Sequence, residues 1–280
     1  MENSGIILVD KPRGITSRKV VDLFQNKLEI KKIGHAGTLD PLASGLLILL
    51  VNKATRLSGV FSSTDKIYEF TLCFGVQTDT DDLEGTVINR KRIQEPEKNY
   101  IVNTLSKFLG NIEQIPPKYS AVKYQGQRAY KLARKGIEIS LKPRKVYIYN
   151  IIITNWNWPR VTLIARVSSG TYVRSLIRDI GEVTGYGATA HSICRQAIGN
   201  NFVNQAIDIN QQKILYQNPE NCLSHLAAVN INDINMDNNK IKLNQYFNNE
   251  FIKINDSIKY HIARRQNDNF YKIIFSGEKL

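Results

Sequence analysis

Cysteine is scarce and unpatterned in this chain. Cys73, Cys194 and Cys222 lie far apart and form no C-x-x-C pair, which excludes a disulfide framework and leaves a thiolate zinc site without ligands. Histidine is nearly as sparse. His35, His191, His225 and His261 make no H-E-x-x-H pair and no cluster with carboxylates, so no metal is expected. Long apolar runs are missing too: the longest, residues 46–51, spans six positions, against the roughly twenty a membrane helix needs. The start, with acidic Glu2, lacks the basic stretch and cleavage site of a secretory signal. A cytoplasmic protein with no membrane partner is expected. Neither G-x-x-x-x-G-K-S/T nor G-x-S-x-G occurs, which disfavours a P-loop nucleotidase and an α/β-hydrolase. Gly185-Tyr186-Gly187-Ala188-Thr189-Ala190 fits only the loosest dinucleotide fingerprint and follows a predicted helix, the wrong context for cradling pyrophosphate. No nucleotide cofactor is expected.

What the chain does contain is ordinary globular material with a basic surplus. Of 280 residues, 42% are hydrophobic and 22% charged, enough for a sizeable core and too apolar for wholesale disorder. Thirty-eight Lys and Arg face 25 Asp and Glu, and the resulting +13 points to a polyanionic partner. Between residues 230 and 249, eight of twenty positions are Asn, which reads as a loop-rich junction. The expected division is therefore a 1–230 domain and a small 231–280 module. That module carries only +2, so +11 belongs to the first 230 residues, where a polyanion should bind.

Residues 6–9 read as a buried strand, followed by the turn Asp10-Lys11-Pro12-Arg13-Gly14 and a helix capped by Thr16 or Ser17, with Val20, Val21, Phe24 and Leu28 on one face. Tyr68, Phe70, Leu72 and Phe74 alternate with Glu69, Thr71 and Cys73, the period of a half-buried strand. Asp79, Asp81, Asp82 and Glu84 read as a solvated acidic turn, since a calcium loop would need a distal Glu. A helix is expected over 101–109, ending at Gly110, and strands over 146–153 and 161–167. In the next helix Val173, Ile177 and Ile180 face inward. Arg174 then falls about 100° from the Val173 row, at the border with solvent. Phe251-Ile252-Lys253-Ile254 and Tyr271-Lys272-Ile273-Ile274-Phe275 suit a β-rich module too small to stand undocked. The mixture means α+β or α/β.

One window resists explanation by packing alone: Gly34-His35-Ala36-Gly37-Thr38-Leu39-Asp40-Pro41-Leu42-Ala43-Ser44-Gly45. Helix-start preferences would make Asp40 an N-cap and Pro41 the first helical residue, but they leave the glycines and His35 unexplained. The window closely resembles the catalytic motif of the TruB family, the tRNA pseudouridine-55 synthases. The likeness recurs in order around Asp10-Lys11-Pro12, at Asp65-Lys66-Ile67-Tyr68 with Thr78-Asp79-Thr80, at Ile115-Pro116-Pro117-Lys118-Tyr119-Ser120, and at Ser169-Gly170-Thr171-Tyr172-Val173-Arg174. It covers most of the first 200 residues. The resemblance implies an α+β fold with a mixed, mostly antiparallel sheet flanked by helices. It also implies that 231–280 stands where the family has a small PUA-like RNA-binding module, and that the protein is a monomer.

The resemblance implies roles residue by residue. Asp40 is the expected nucleophile, Arg174 the cation that pairs with it, and Tyr68 the ring against the target base. His35 occupies the space left by the flipped base, Tyr172 lines the pocket, and Lys11 supports the site. Residues 118–145 carry nine Lys or Arg against Glu138 alone, with Tyr119, Tyr124 and Tyr130 among them. In the family this segment clamps the T-arm of tRNA, and Lys123, Tyr124, Arg128, Lys131 and Arg134 would contact RNA through phosphate and stacking. Isomerising uridine to pseudouridine involves no net redox change or group transfer, so no cofactor is expected. Two rivals remain open: a non-catalytic RNA-binding or tRNA-folding protein, and a pseudouridine synthase for another RNA.

Overall fold

In the computed structural model, residues 4–230, 234–237, 240–243, 249–255, 259–267 and 270–278 are described. The apolar run of residues 46–51 lies in strand Ser44–Val51, buried at every position from Gly45 onward, as a strand covered on both faces requires. The chain divides into two compact units. The first comprises Met1–Asp40, Gly45–Ser62 and Ile198–Leu280, and the second Pro41–Ser44 and Ser63–Ala197.

In the first unit, Gly5–Lys11 runs antiparallel to Ser44–Val51, with Ile7 opposite Leu49, and parallel to Ile207–Asp208. Ile33–Ala36 also pairs antiparallel with Ser44–Val51. Helix Ser17–Leu28 is capped by Thr16, whose hydroxyl accepts from Lys19 N–H, and it buries Val20, Val21 and Phe24. Burial of each such side chain contributes about 1.5–3 kcal/mol. A second, six-stranded sheet begins at Ala228 and includes Phe251–Asn255, Lys259–Asn267 and Phe270–Glu278. Phe251, Tyr260, Ile262 and Phe275 share one core with Ile6, Leu8, Leu46 and Ile48, so this small sheet is stabilised by docking on the N-terminal strands.

The Asn-rich stretch is not simply a junction. It contains strands Ile234–Asp237 and Lys240–Leu243, paired antiparallel with Asp237 opposite Lys240. Ile234 and Met236, then Ile241 and Leu243, recur every second residue, and that period prevails over the turn preference of Asn. Residues 231–233, 238–239 and 244–248 lie outside the described residues.

The second unit is built on strands in the order Ala188–Ile198, Lys66–Phe74, Arg160–Val167, Arg144–Asn157 and Gly110–Gln114. The last three pairings are antiparallel. Lys66–Phe74 alternates buried and open positions as its sequence predicts. Helix Val173–Thr184 buries Val173, Leu176, Ile177 and Ile180 and ends at Gly185 in the left-handed conformation.

Candidate active site and RNA-binding surface

Asp40, in the first unit, closes the loop that follows strand Ile33–Ala36, and it is half-buried. Gly37 (φ +79°) and Gly45 (φ +97°) flank this window in the left-handed region, where a side chain would be strained. No helix starts at Asp40, so the capping explanation of Asp-Pro fails; the apolar residues that follow are drawn into strand Ser44–Val51 instead. The residue before Asp40 is held from both sides. Ser17 Oγ accepts from Leu39 N–H at 2.8 Å and donates to the Leu39 carbonyl at 2.9 Å, and both residues are buried. Ser17→Ala would leave two buried backbone groups without this partner, at a cost of about 1–3 kcal/mol. A lowered melting temperature is the expected outcome, checked by thermal denaturation beside the wild type.

Two further residues singled out in the sequence lie in this unit. His35 sits in strand Ile33–Ala36 opposite Leu49 and is half-buried. Lys11 is fully buried, and its ammonium donates to the Pro12 and Ile15 carbonyls at 2.8 Å each, bracing the turn after the first strand.

The second unit holds Tyr68, Tyr172 and Arg174. Tyr68 is 9% exposed on the inner face of Lys66–Phe74, opposite Ala165. Lys66, on the same face, is also buried; desolvation, reinforced by nearby Arg195, pushes its ammonium down to about 7. Tyr172 is the N-cap of helix Val173–Thr184, and its N–H donates to Gln114 Oε1 at 2.8 Å.

Arg174 is not at the solvent border: it is 4% exposed. Nη1 donates to the Thr80 carbonyl at 2.8 Å and to Asp82 Oδ2 at 3.4 Å, while Nη2 donates to the Tyr119 carbonyl at 2.8 Å. The acidic turn is correspondingly not a solvated one. Asp82 is 6% exposed, and Asp81 Oδ2 lies 3.2 Å from Arg178 Nη1. Burial pushes Asp81 up to about 6, against the opposing pull of Arg178 and Arg174. A guanidinium with five donors can be buried where several carbonyls and a carboxylate converge, and this draws both the helix charge and the turn inward. Asp82 was missed in the sequence. The available signal was two adjacent aspartates in one turn matched by two arginines four apart on one helix.

The basic segment folds around a small core of its own, Ala129, Leu132, Ile139 and Leu141. That core leaves Lys123, Arg128, Lys131 and Arg134 exposed. Lys123–Tyr124 and Gln127–Arg128 form a short hairpin, Arg128 Nη1 donates to the Ala121 carbonyl, and Arg134 lies over the Tyr130 ring at 5.7 Å. Val122, Tyr124, Leu141, Lys123, Lys142 and Arg144 line part of a pocket of about 460 Å³, mixing apolar wall, one ring and three cations. Exposed cations beside ring faces are the surface that RNA backbone and unstacked bases require. Among the described residues, no group of three or more His, Cys, Asp or Glu could hold a metal ion, and no helix is long and apolar enough to cross a membrane.

The fold has solved counterparts. It superposes on a chain of the crystal structure of a Cbf5-Nop10-Gar1 complex with a TM-score of 0.69 and 22% identity, covering 96% of this chain and 83% of that one. A chain of the archaeal box H/ACA sRNP Nop10-Cbf5 complex gives 0.66 and 21%, covering 97% and 86%. The likeness shows the fold: a mixed, largely antiparallel sheet and a β-rich C-terminal sheet. The family is given by the sequence: residues 25–173 match the TruB family pseudouridylate synthase N-terminal domain, with Asp40 and Tyr68 inside the match and Arg174 immediately after it. The chain belongs to the TruB family. It is similar to tRNA pseudouridine synthase B of Aquifex aeolicus, 44% identical over 221 residues, which are 77% of this chain and 75% of the relative. The Clostridium kluyveri protein of the same name is 41% identical over 225 residues, 80% and 76% of the two chains.

Proposed function

We propose that this protein isomerises uridine 55 in the T-loop of tRNA to pseudouridine, with Asp40 as the nucleophile. The observation that carries the reading is the Asp40 loop, which lies within the TruB family match and is held at Leu39 by a buried serine. The reaction breaks the bond from ribose to N1, turns the base and rejoins it through C5. It needs a carboxylate at the sugar or base, a cation to keep that group ionised, and a pocket that excludes water. Arg174 serves as the cation, Asp82 orients Arg174, and Tyr68 and Tyr172 wall the pocket. Extruding the uridine costs a few kcal/mol, and His35 fills the space it leaves. Residues 118–145 grip the T-arm. The chain acts as a cytoplasmic monomer, with 1–230 catalytic and 231–280 a PUA-like RNA-binding module. Relatives named tRNA pseudouridine synthase B support tRNA as the substrate.

The test is to incubate the protein with unmodified tRNA, an isolated T-arm stem-loop and unrelated hairpins, then map product by carbodiimide-dependent primer extension. Product at position 55 in the first two substrates alone is expected. Efficient modification of an unrelated hairpin would move the substrate to another RNA. Salt supplies a further prediction. If Lys123, Arg128, Lys131 and Arg134 each neutralise one phosphate, their share of the slope of log K against log salt is about −3 to −4. Changing all four to Gln should flatten the slope by that amount in filter-binding titrations.

A further inference from the structure

Helix Val173–Thr184 carries two arginines one turn apart, and they repeat the same pair of contacts. Arg174 reaches Asp82 and the Thr80 carbonyl on one side and the Tyr119 carbonyl, at 2.8 Å, on the other. Arg178 reaches Asp81 Oδ2 at 3.2 Å on one side and the Ile115 carbonyl at 3.0 Å on the other. Both therefore join the acidic turn to the segment that leads into the basic clamp. Ser175 Oγ adds a second donor to the Ile115 carbonyl at 2.8 Å. The returning end of the clamp meets the same place, since Arg144 pairs with Gln114 in the strand register. Asp179 accepts from Arg178 Nε at 3.0 Å and from Nη2 at 2.8 Å, which fixes the guanidinium on its own helix.

We propose that Arg178 is a positioning residue for the reaction, a second rung parallel to Arg174 that holds the acidic turn and the clamp's root in register so that Arg174 is aimed. The inference rests on the role assigned above to Arg174. The physical need for a second rung follows from the first one's geometry. The Arg174–Asp82 contact is long, at 3.4 Å, and Arg174 also donates to the Thr80 and Tyr119 carbonyls, which belong to different segments. The acidic turn is itself held to strand Ala188–Ile198, by Leu83 N–H to the Ala190 carbonyl at 3.1 Å and by Ala190 N–H to the Asp81 carbonyl at 3.0 Å, so a slide of the Tyr119 segment past that turn is what would displace Arg174. Misplacement by about 1 Å can cost about a hundredfold in rate. Arg178 opposes that slide from both sides, because a planar fork cannot keep Asp81 and the Ile115 carbonyl together unless both segments stay put.

The experiment compares wild type, Arg178→Gln, Arg178→Lys, Asp81→Asn and the double variant R178Q/D81N on intact tRNA, measuring single-turnover rate and tRNA Kd separately. Asp40→Asn runs in the same assay. Arg178→Gln is expected to lower the rate by about 10- to 100-fold with Kd unchanged. Arg178→Lys should recover part of the loss, because it keeps the Asp81 pairing but not the second branch. The double variant should be no slower than Arg178→Gln, because the two residues act through one contact. A normal rate for Arg178→Gln, or a loss fully explained by weaker tRNA binding, overturns the proposal. If Arg178→Gln fails to fold, Arg178→Lys decides: native melting with a reduced rate supports the rung, and a native rate overturns it. An active Asp40→Asn would instead overturn the reading of the site itself, whatever Arg178 does.

Discussion

Asp40→Asn is expected to abolish pseudouridine formation, with a rate loss of at least about 10⁴-fold, while tRNA Kd and melting temperature stay near wild type. The two halves of this expectation have separate causes. Asn has the shape of Asp but no nucleophilic oxygen and no charge for a cation to hold, so any step that needs a carboxylate stops. Ser17 holds the peptide groups of the preceding residue, and Gly37 and Gly45 supply the positive φ angles flanking the window, so the loop's backbone keeps supports that the substitution leaves in place. The measurement is carbodiimide-dependent primer extension on unmodified tRNA, without metal or nucleotide, beside filter binding. A non-catalytic tRNA-folding protein would behave differently. Wild type and variant would then bind alike and neither would leave product. If the wild type made product only with an added nucleotide, the cofactor-free chemistry would fail instead.

Much of the fold was legible because it follows local periodicity. The period-two strand at Lys66–Phe74, the unbroken apolar run in Ser44–Val51 and the inward row Val173, Ile177 and Ile180 are all visible in single windows. Arg174 and Asp82 were misread for the opposite reason. Helical geometry places a side chain on a face but does not say what packs there, and the partner turn lies about ninety residues earlier in the chain. A charge is buried only where a distant charge and carbonyls meet it, so the sign of its exposure is a tertiary fact. Asn richness hid the two strands between residues 234 and 243 because composition outweighed an alternation only four residues long in each strand. The candidate nucleophile stood out through a family likeness, whereas Ser17, which pins its neighbour, looked in sequence like one of two interchangeable helix caps. The structure separates them: Thr16 caps the helix, and Ser17 turns inward to Leu39.

Arg174 separates stability from chemistry in a way that Asp40 cannot. Arg174→Ala leaves Asp82 buried without its cation, and loss of one partner of such a pair costs about 3–5 kcal/mol, so a large drop in melting temperature is expected. That variant alone says little about mechanism. Arg174→Lys is the informative change: an ammonium keeps the charge but cannot serve the Thr80 carbonyl, Asp82 and the Tyr119 carbonyl from one rigid plane. If Arg174 were only a strut, Lys would restore most of the stability and, with it, the rate. If Arg174 also has a part in the reaction, the rate should stay down by about 10²–10³-fold while melting recovers. Asp82→Asn supplies the counterpart. Asp82 also accepts from Thr80 Oγ1 at 2.7 Å and from Glu84 N–H at 3.1 Å, so it organises the turn as well as facing the arginine. Asn can keep one acceptor oxygen for those bonds but loses the charge. Its rate deficit therefore measures how far the carboxylate aims Arg174. In the double variant R174K/D82N the losses should be less than additive, since both act on one guanidinium; fully additive losses would mean the pair does not act together in the reaction.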